Sequence, residues 1–369
     1  MDIFKFTNPT APTKMERGVI INGLKSKLWV ERYRQAGEFK LVGPVRLGLQ
    51  QLLPIGAFVS HVDTSEVMIV EDHEINEDRD KESMISISGR GFEAFFENRV
   101  VGSNKTLPFN TGVTDYTLTA GYLWIQARDL IQNHVLASLL IDDDNEIPYL
   151  QVIAQAATSG TSIQRSVQQG ELYSRLMELL EIEDLGIRVF RPGPLNPAGS
   201  SSVDMSVVIH KGIDRSASLV FSYDSGEVES ADYLWSSRLL KNCALVSGKW
   251  IQVLVDHAAV GMARRMLFVD ANDIDNTYSV APTGGDLTNV QNAMQQRGIL
   301  ALAGQKSVDI TKIDVSKKAG RAVYRRDYQV GDTIMVDGDY NATSKRVVSE
   351  YVEIEDENGA SGYPTLAPI

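Results

Sequence analysis

Cysteine is almost missing from this chain of 369 residues, because Cys243, in the run LLKNCALV, is the single one. One thiol cannot form a disulfide within its own chain, which excludes a disulfide-stapled fold. The scarcity of cysteine also favours assembly in a reducing compartment. Because leucine, alanine and valine flank Cys243, we expect it to be a buried structural thiol.

Long apolar runs are missing as well. No stretch approaches the roughly 18 consecutive apolar residues that predict a membrane-spanning helix. The first residues, MDIFKFTNPT, lack the basic region and apolar stretch of a signal peptide, so none is expected. The sequons that begin at Asn104 and Asn341 are therefore expected to carry no glycan.

Basic residues are outnumbered, since 36 Lys and Arg stand against 48 Asp and Glu, for a net charge of −12. Proteins that grip nucleic acid neutralise phosphates with an excess of cations, so this class of binding is disfavoured. An acidic surface instead lets nucleic acid slide past without sticking. Solubility alone is the other explanation of the acidic balance.

The common catalytic and metal-binding motifs are absent. No phosphate-binding G-x-x-x-x-G-K-[ST] and no G-x-S-x-G nucleophile turn occurs. His73-Glu74 lacks the second histidine of a zinc-binding helix, and the five histidines are dispersed. The acidic run at 142–146 is contiguous and lacks the glycine turn of a calcium loop, so we expect a solvated loop. The sequence therefore predicts no catalytic residue, no cofactor and no metal, and it disfavours a wall-degrading enzyme.

Three regions follow one another along the chain. At roughly 150 residues per domain, this length predicts two to three domains. Residues 1–120 are strand-rich, while residues 121–195 show the apolar spacing of helices, the last of which is expected to end at Gly186. Residues 196–369 return to strands, with a helix near 287–306. The proline-, glycine- and serine-rich run RPGPLNPAGSSS between the last two regions predicts a loop.

The first region carries three local patterns. Alternation around Leu28 predicts a strand, and the following Gln35-Ala36-Gly37 predicts a turn whose glycine has positive φ. The acidic stretch 71–82 predicts a solvated hairpin tip. Phe92, Phe95 and Phe96 are spaced at i, i+3 and i+4, which predicts a short helix with an aromatic face on the strands.

A strand–turn–strand pattern occurs twice, at 52–80 and at 324–359. Each copy begins with an apolar residue and a glycine, Gly56 in the first and Gly331 in the second, and continues into two apolar runs. A glycine at this place re-aims a strand, as at a barrel corner or a bulge. Asp332 is expected to bond neighbouring backbone amides in the second turn, and Tyr328 to pack beside it. The pattern predicts an α+β, mainly β fold with two related β-barrel-like domains and an inserted helical segment.

Several stretches in a fixed order resemble a known family, the minor tail (baseplate hub) proteins of long-tailed, non-contractile bacteriophages. They are LWVERYRQAGEFKLVGP, LLPIGAFVSHV, MIVEDHEI, MISISGRGFEAFFENRVV, DRSASLVFSYDSGEV, YRRDYQVGDTIMV and EYVEIEDENG. The resemblance implies two barrel-like hub domains, at 1–120 and about 287–369, in a homotrimer that forms a ring of six similar barrels.

The resemblance also implies the function. The ring would connect the sixfold tail tube to the threefold tail tip in the virion and line the DNA exit channel, after assembly in the host cytoplasm. The implied partners are the distal tail protein, the tail tube, the tape measure protein and tail-tip spike or fibre proteins. DNA would pass without specific binding, and no enzymatic activity is implied.

An alternative function is a receptor- or carbohydrate-binding tail protein. Such sites use exposed aromatic rings, and the candidates are Trp29, Trp124, Trp235 and Trp250. Each tryptophan lies in an apolar pattern, so we expect core packing for all four.

Overall fold

The computed structural model of the chain describes residues 3–7, 16–77, 82–102, 116–119, 121–136, 147, 150–154, 165–191, 205–236, 238, 240–275, 278–303, 305, 308–315, 322–337 and 343–368. The acidic run at 142–146, the tip of the 71–82 hairpin and the loop RPGPLNPAGSSS beyond Arg191 lie outside these residues. So does the asparagine of each sequon.

Strands dominate the described residues. They are β1 (Ile3–Thr7), β2 (Glu16–Ile20), β3 (Ser26–Arg32), β4 (Glu38–Pro44), β5 (Phe58–His61), β6 (Val67–Asn76), β7 (Met84–Gly91), β8 (Val100–Val101), β9 (Tyr116–Thr117), β10 (Leu150–Ala154), β11 (Ser166–Val167), β12 (Gly170–Glu171), β13 (Gly186–Phe190), β14 (Met205–His210), β15 (Val220–Ser222), β16 (Val228–Ser236), β17 (Cys243–Ser247), β18 (Gln252–Val255), β19 (Met266–Asp270), β20 (Val308–Val315), β21 (Thr333–Asp337), β22 (Ser344–Asp356) and β23 (Gly359–Pro368).

Helices are fewer and mostly short. The α-helices are α1 (Leu49–Leu52), α2 (Leu123–Ile131), α3 (Leu172–Glu181), α4 (Asn272–Asp275) and α5 (Gly284–Ala303). The 3-10 helices are Val45–Leu47, Phe92–Asn98 and Gly261–Ala263, and a π-helical turn, Gln132–Leu136, extends α2. The mainly β fold with added helices is thus as predicted, including the short aromatic helix after β7.

One sheet of 11 strands joins the first and last regions of the chain. Its order is β15-β21-β22-β3-β4-β7-β6-β5-β1-β2, with β23 on the other edge of β22. The 13-residue strand β22 makes this possible, because β21 and then β3 pair along one of its edges while β23 pairs along the other. Neighbours in this sheet run antiparallel except β15 and β21, which are parallel.

This pairing corrects the prediction of barrels, because no closed barrel is found within the described residues. The alternating patterns at the two ends of the chain identify strands correctly, but alternation does not say which strand pairs with which. Register between β3 and β22 is set by residues more than 300 positions apart, such as Val30 opposite Val352. Whether the three predicted regions fold as separate domains stays a prediction.

Smaller sheets complete the described part of the chain. Two of them have three strands, in the orders β10-β14-β13 and β18-β17-β19, and three are two-stranded pairs, β9 with β11, β8 with β12 and β16 with β20. Helices α2 and α3 pack on β13, β14 and the aromatic 3-10 helix to form the largest apolar core. Helix α5 packs on the sheet of β17, β18 and β19 in a separate core. Cys243, on β17, is buried as expected.

Two local predictions need correction. Gly37 does not have positive φ; a β-carbon there would instead crowd the carbonyl oxygen of Val30, so glycine is needed for space. Helix α3 ends at Glu181 rather than at Gly186, which begins β13. Asp184, with φ 58°, takes the left-handed position between them, a conformation that aspartate tolerates better than most residues.

Candidate functional site

The first of the two predicted turns is a hydrogen-bonded turn that leads into β5. Ala57 N donates to Pro54 O at 2.9 Å, and Gly56 has φ 83°. Positive φ at the third residue is the geometry of a type II turn, which favours glycine there. Gly56 N also donates to Val70 O at 2.8 Å, and Val70 N donates to Ala57 O at 2.9 Å. The pairing of β6 with β7 shifts register directly after Val70, where Glu71 forms a bulge.

The second turn leads into β21 and has the same construction. Asp332 N donates to Gln329 O at 3.1 Å, and Gly331 has φ 92°. Gly331 N donates to Val348 O at 2.7 Å, and Val348 N donates to Asp332 O at 2.9 Å. The pairing of β22 with β23 shifts register directly after Val348, where Ser349 forms the bulge.

We name residues 54–72 and 329–350 the first and second glycine units. Each contains a type II turn with positive-φ glycine, a pair of hydrogen bonds to one valine and a bulge directly after that valine. The match therefore extends beyond apolar patterning to individual backbone hydrogen bonds. It supports the reading of the two stretches as one duplicated structural unit.

The two units differ in their surroundings. A β-carbon built on Gly56 would meet nothing within 4 Å, whereas one on Gly331 would overlap the ring of Tyr33. Ala57 follows the first glycine, and Asp332, fully buried, follows the second. The first unit thus lies open to solvent at its turn, and the second is enclosed.

Asp332 accepts hydrogen bonds from both of its neighbouring segments. Its Oδ1 accepts from Ile213 N at 2.8 Å, while Oδ2 accepts from Arg215 Nε at 2.6 Å and from Gln329 N at 3.1 Å. Charge-assisted bonds of this kind are stronger than neutral ones. The carboxylate therefore fastens the segment after β14 to the second glycine unit.

Tyr33, next to the end of β3, fills the space beside the second unit. Its hydroxyl donates to Asp184 O at 2.7 Å and accepts from Gly212 N at 3.2 Å. Burial raises the pKa of the Tyr33 hydroxyl to about 12. A β-carbon at Gly186 would also overlap the Tyr33 ring, and one at Gly212 would overlap the backbone of Gly331. Close backbone approach thus requires glycine at three separate points around one tyrosine.

Tyr328 is buried just before the second turn. Its ring meets Phe221 edge-on at 5.6 Å and Tyr324 at 5.4 Å between ring centroids. The structure therefore places Gly331, Asp332 and Tyr328 together in one packed junction, and it places Gly56 outside that junction. Whether these four residues are functionally required stays a prediction.

A buried charged cluster lies where the three predicted regions meet. Arg188 on β13 donates to Glu31 on β3 and to Glu66, which directly precedes β6, and all three residues are buried. Tyr324 Oη donates to Glu31 Oε2 at 2.6 Å, and Arg325 donates to Glu31 Oε1 at 2.8 Å. The cluster therefore connects the first, middle and C-terminal regions of the chain.

Burial and charge perturb the carboxyls of this cluster in opposite directions. Burial by itself raises the pKa of Glu31, but the positive charges of Arg188 and Arg325 outweigh it, so that pKa is lowered. Burial raises the pKa of Glu66 to about 8, although Arg188 opposes the shift. Nearby Glu93, also buried, has its pKa raised by burial to about 7. Two cations thus stabilise the charged form of Glu31, whereas burial favours the protonated forms of Glu66 and Glu93.

The sequence analysis did not single out the charged cluster or Tyr33. A signal existed for Arg188, because a cation in the otherwise apolar run GIRVF requires a buried partner. The signal for Glu31 was weaker, because it shares its face of β3 with the aromatic residues Trp29 and Tyr33. Its partners come from distant segments that single-sequence patterns do not bring together.

The described tryptophan side chains are mostly packed. Trp29 is fully buried against Phe39 and His61, and Trp124 packs at the edge of the largest core. Trp250 is 39% exposed, with Lys249 over its ring at 4.9 Å. Only the backbone of Trp235 belongs to the described residues. Trp250 is therefore the most exposed of the three tryptophan side chains that the structure describes.

Among the described residues, no group of three or more His, Cys, Asp or Glu side chains is placed to hold a metal ion. Within the same residues, no helix is both long and apolar enough to span a membrane.

The open sheet and its added helices have the fold of phage tail proteins of known structure. A tail protein from Neisseria meningitidis MC58 superposes with a TM-score of 0.55 at 11% identity, over 100% of this chain and 95% of that one. The 43 kDa tail protein of prophage MuSo2 from Shewanella oneidensis gives 0.53 at 13% identity, over 99% and 97%. Prophage tail protein gp18 from Listeria monocytogenes EGD-e gives 0.53 at 11% identity, over 100% and 94%.

The family follows from the sequence itself. The model of the family described as Siphovirus ReqiPepy6 Gp37-like protein matches residues 13–366, so the chain belongs to that family. No curated protein sequence matches the chain. The chain is therefore a siphovirus-type protein with the fold of phage tail proteins, in agreement with the resemblance found in its sequence.

Proposed function

We propose that this chain is the structural hub of a siphophage tail tip. Three copies form a ring that connects the sixfold tail tube to the threefold tip and lines the DNA exit channel. The observation that carries the proposal is the repeated glycine unit, with its matching turn, hydrogen bonds and bulge. Membership of a siphovirus family and the fold of phage tail proteins support it.

Duplication provides a physical reason for the ring. A chain that carries one structural unit twice gives six similar units when three copies assemble about a threefold axis. Such a ring presents near-sixfold symmetry to one neighbour and threefold symmetry to the other, so symmetry constrains both interfaces. A single-copy chain would need a separate adaptor between the two symmetries.

The charge balance fits a channel that DNA crosses. With a net charge of −12 per chain, the ring repels the phosphate backbone and does not retain it. The proposed neighbours are the distal tail protein and tail tube on one side, and spike or fibre proteins on the other. The tape measure protein would end in the channel. A single buried cysteine is compatible with assembly in the host cytoplasm.

The test is the mass and symmetry of the purified protein, from light scattering followed by two-dimensional image averages. A threefold ring with six lobes and a central hole is the expected result. A dimer or a closed particle without a hole would contradict the proposal. If the free protein is monomeric, the same averages are taken from purified tails, where the ring must lie at the tip.

A receptor- or carbohydrate-binding tail protein is the second candidate, and exposed Trp250 is the observation that favours it. Aromatic faces stack on sugar rings, but sugar sites combine the ring with several polar groups. A glycan array with the wild type and Trp250→Ala decides this point. Binding that is lost in Trp250→Ala would establish the second function, and we expect no binding by either protein.

A further inference from the structure

The small sheet of β17, β18 and β19 has one covered face and one open face. On the covered face, Ala244 and Val246 of β17 pack with Val255 of β18 against α5. Side chains of a strand alternate between the two faces, so Leu245 points to the opposite face. Register places Leu254 of β18 and Phe268 of β19 directly beside Leu245.

The open face is strongly apolar. Phe268 is 66% exposed, Met266 45% and Leu254 38%. The connection between β18 and β19 adds Val260 at 72% and Met262 at 99%. We call these five residues with Leu245 the open apolar face. Single exposed apolar residues are ordinary, but Leu245, Leu254, Met266 and Phe268 share one face of the sheet, and a group of this kind marks an interaction surface.

The segment that bears this face is basic within an acidic protein. Residues 238–270 contain five Lys and Arg and two Asp, whereas the whole chain has a net charge of −12. The rest of the chain therefore carries a more negative net charge than the chain as a whole. A segment with an excess of cations that bears an apolar face, and an acidic remainder of the same chain, are complementary in charge between copies.

The exposed end of β6 offers the matching surface. Asp72, Glu74 and Glu77 are exposed there, and no described residue forms an ion pair with them. Ile75, in the same run, is 43% exposed. This strand end thus combines negative charges with an apolar side chain, whereas the segment that bears the open apolar face has an excess of positive charges.

We propose that the open apolar face docks on the exposed end of β6 in a second copy of this chain. The inference rests on the proposed ring, because a threefold ring requires two different surfaces that meet head to tail. Phe268 and Met262 provide the apolar contact, and Glu74 faces the basic segment. Each copy would use its open face on one neighbour and its β6 end on the other.

The test compares the self-association of four proteins by sedimentation velocity at low and high salt. Phe268→Asp and Glu74→Lys change the two proposed surfaces, and Ile55→Asp is the matched control, since Ile55 is 67% exposed outside both surfaces. We expect Phe268→Asp and Glu74→Lys each to weaken association by about tenfold or more, with no effect of Ile55→Asp. Association of the wild type should weaken with salt. Circular dichroism checks that all variants fold, as expected for changes at exposed positions.

The outcomes separate this inference from the proposed function. A wild-type ring that Phe268→Asp and Glu74→Lys leave intact overturns the docking surface, while the hub assignment stands. A wild type that stays monomeric at every concentration also overturns the docking surface, and the images of purified tails then decide the hub assignment. Loss of the ring in Ile55→Asp as well would show nonspecific disruption and likewise overturn it.

Discussion

The two glycine units have the same backbone but opposite environments. Gly56 stands at an open turn, where only its φ of 83° requires glycine. Gly331, with φ 92°, must also leave room for the ring of Tyr33. The two units thus share their local hydrogen bonds, while only the second joins segments that are distant in sequence.

This comparison separates two contributions to stability that usually occur together. The turn of the first unit reports the conformational preference of glycine alone. The turn of the second reports the same preference plus packing against Tyr33 and the buried hydrogen bonds of Asp332. Substitutions at matched positions of the two units therefore measure how much the contacts around the second unit add to the free energy of unfolding.

Gly331→Val should have the largest effect. The change combines unfavourable φ with overlap of Tyr33, and we expect a loss of about 4 kcal/mol or more in unfolding free energy. Gly56→Val introduces the same side chain at the same backbone geometry without the overlap, for about 1–2 kcal/mol. Denaturant unfolding of both variants measures the difference. Equal losses would show that the Tyr33 contact does not distinguish the two units.

How far the sequence predicted these features depends on the range of the interactions. The turns at Gly56 and Gly331 are local, so glycine and its apolar neighbours marked them. The pairing of β3 with β22 and the contact of Tyr33 with Gly331 depend on residues far apart, which periodicity does not connect. The sequence therefore located both turns but predicted two barrel-like domains where one shared sheet is found.

Asp332→Ala should have the next largest effect. Removing the carboxylate leaves Ile213 N, Gln329 N and Arg215 without their acceptor, and we expect a loss of about 3 kcal/mol. Asp332→Asn keeps one acceptor oxygen, for example for Ile213 N, but its NH2 group then faces the N–H donors of Arg215 and Gln329, so a loss close to that of Asp332→Ala is expected. Thermal and denaturant unfolding measure both variants. Ala57 occupies the matching place in the first unit, so Ala57→Ser serves as a control with a small effect.

The charged cluster predicts a pH dependence. In the folded protein the pKa of Glu66 is raised to about 8 from 4.5. Between these values the folded state holds a proton that the unfolded state has lost, so stability falls as pH rises through this range. Glu31, whose pKa is lowered, acts oppositely and loses its contribution only in acid. Stability should therefore be greatest in mild acid.

Glu66→Gln isolates the alkaline part of this profile. The amide keeps an oxygen for Arg188 but cannot ionise, so the variant should gain about 1–2 kcal/mol relative to wild type between pH 5 and pH 8. Glu93, with a pKa of about 7, should leave a remaining slope. Unfolding free energies across this pH range measure the effect, with exposed Asp224→Asn as the control. Parallel profiles for Glu66→Gln and wild type would show that Glu66 is ionised in the fold.

The bulges should show the smallest difference between the units. Glu71 accepts from Arg90 of β7 at 2.8 Å, and Ser349 donates to Thr365 O of β23 at 3.1 Å. Both contacts connect a bulge to the third strand, but the Arg90 side chain is 41% exposed. Glu71→Ala and Ser349→Ala should each cost about 0.5 kcal/mol, because exposed pairs and single hydrogen bonds contribute little. A loss above about 2 kcal/mol for either variant would show that its side chain, rather than the backbone of the glycine unit, maintains the bulge.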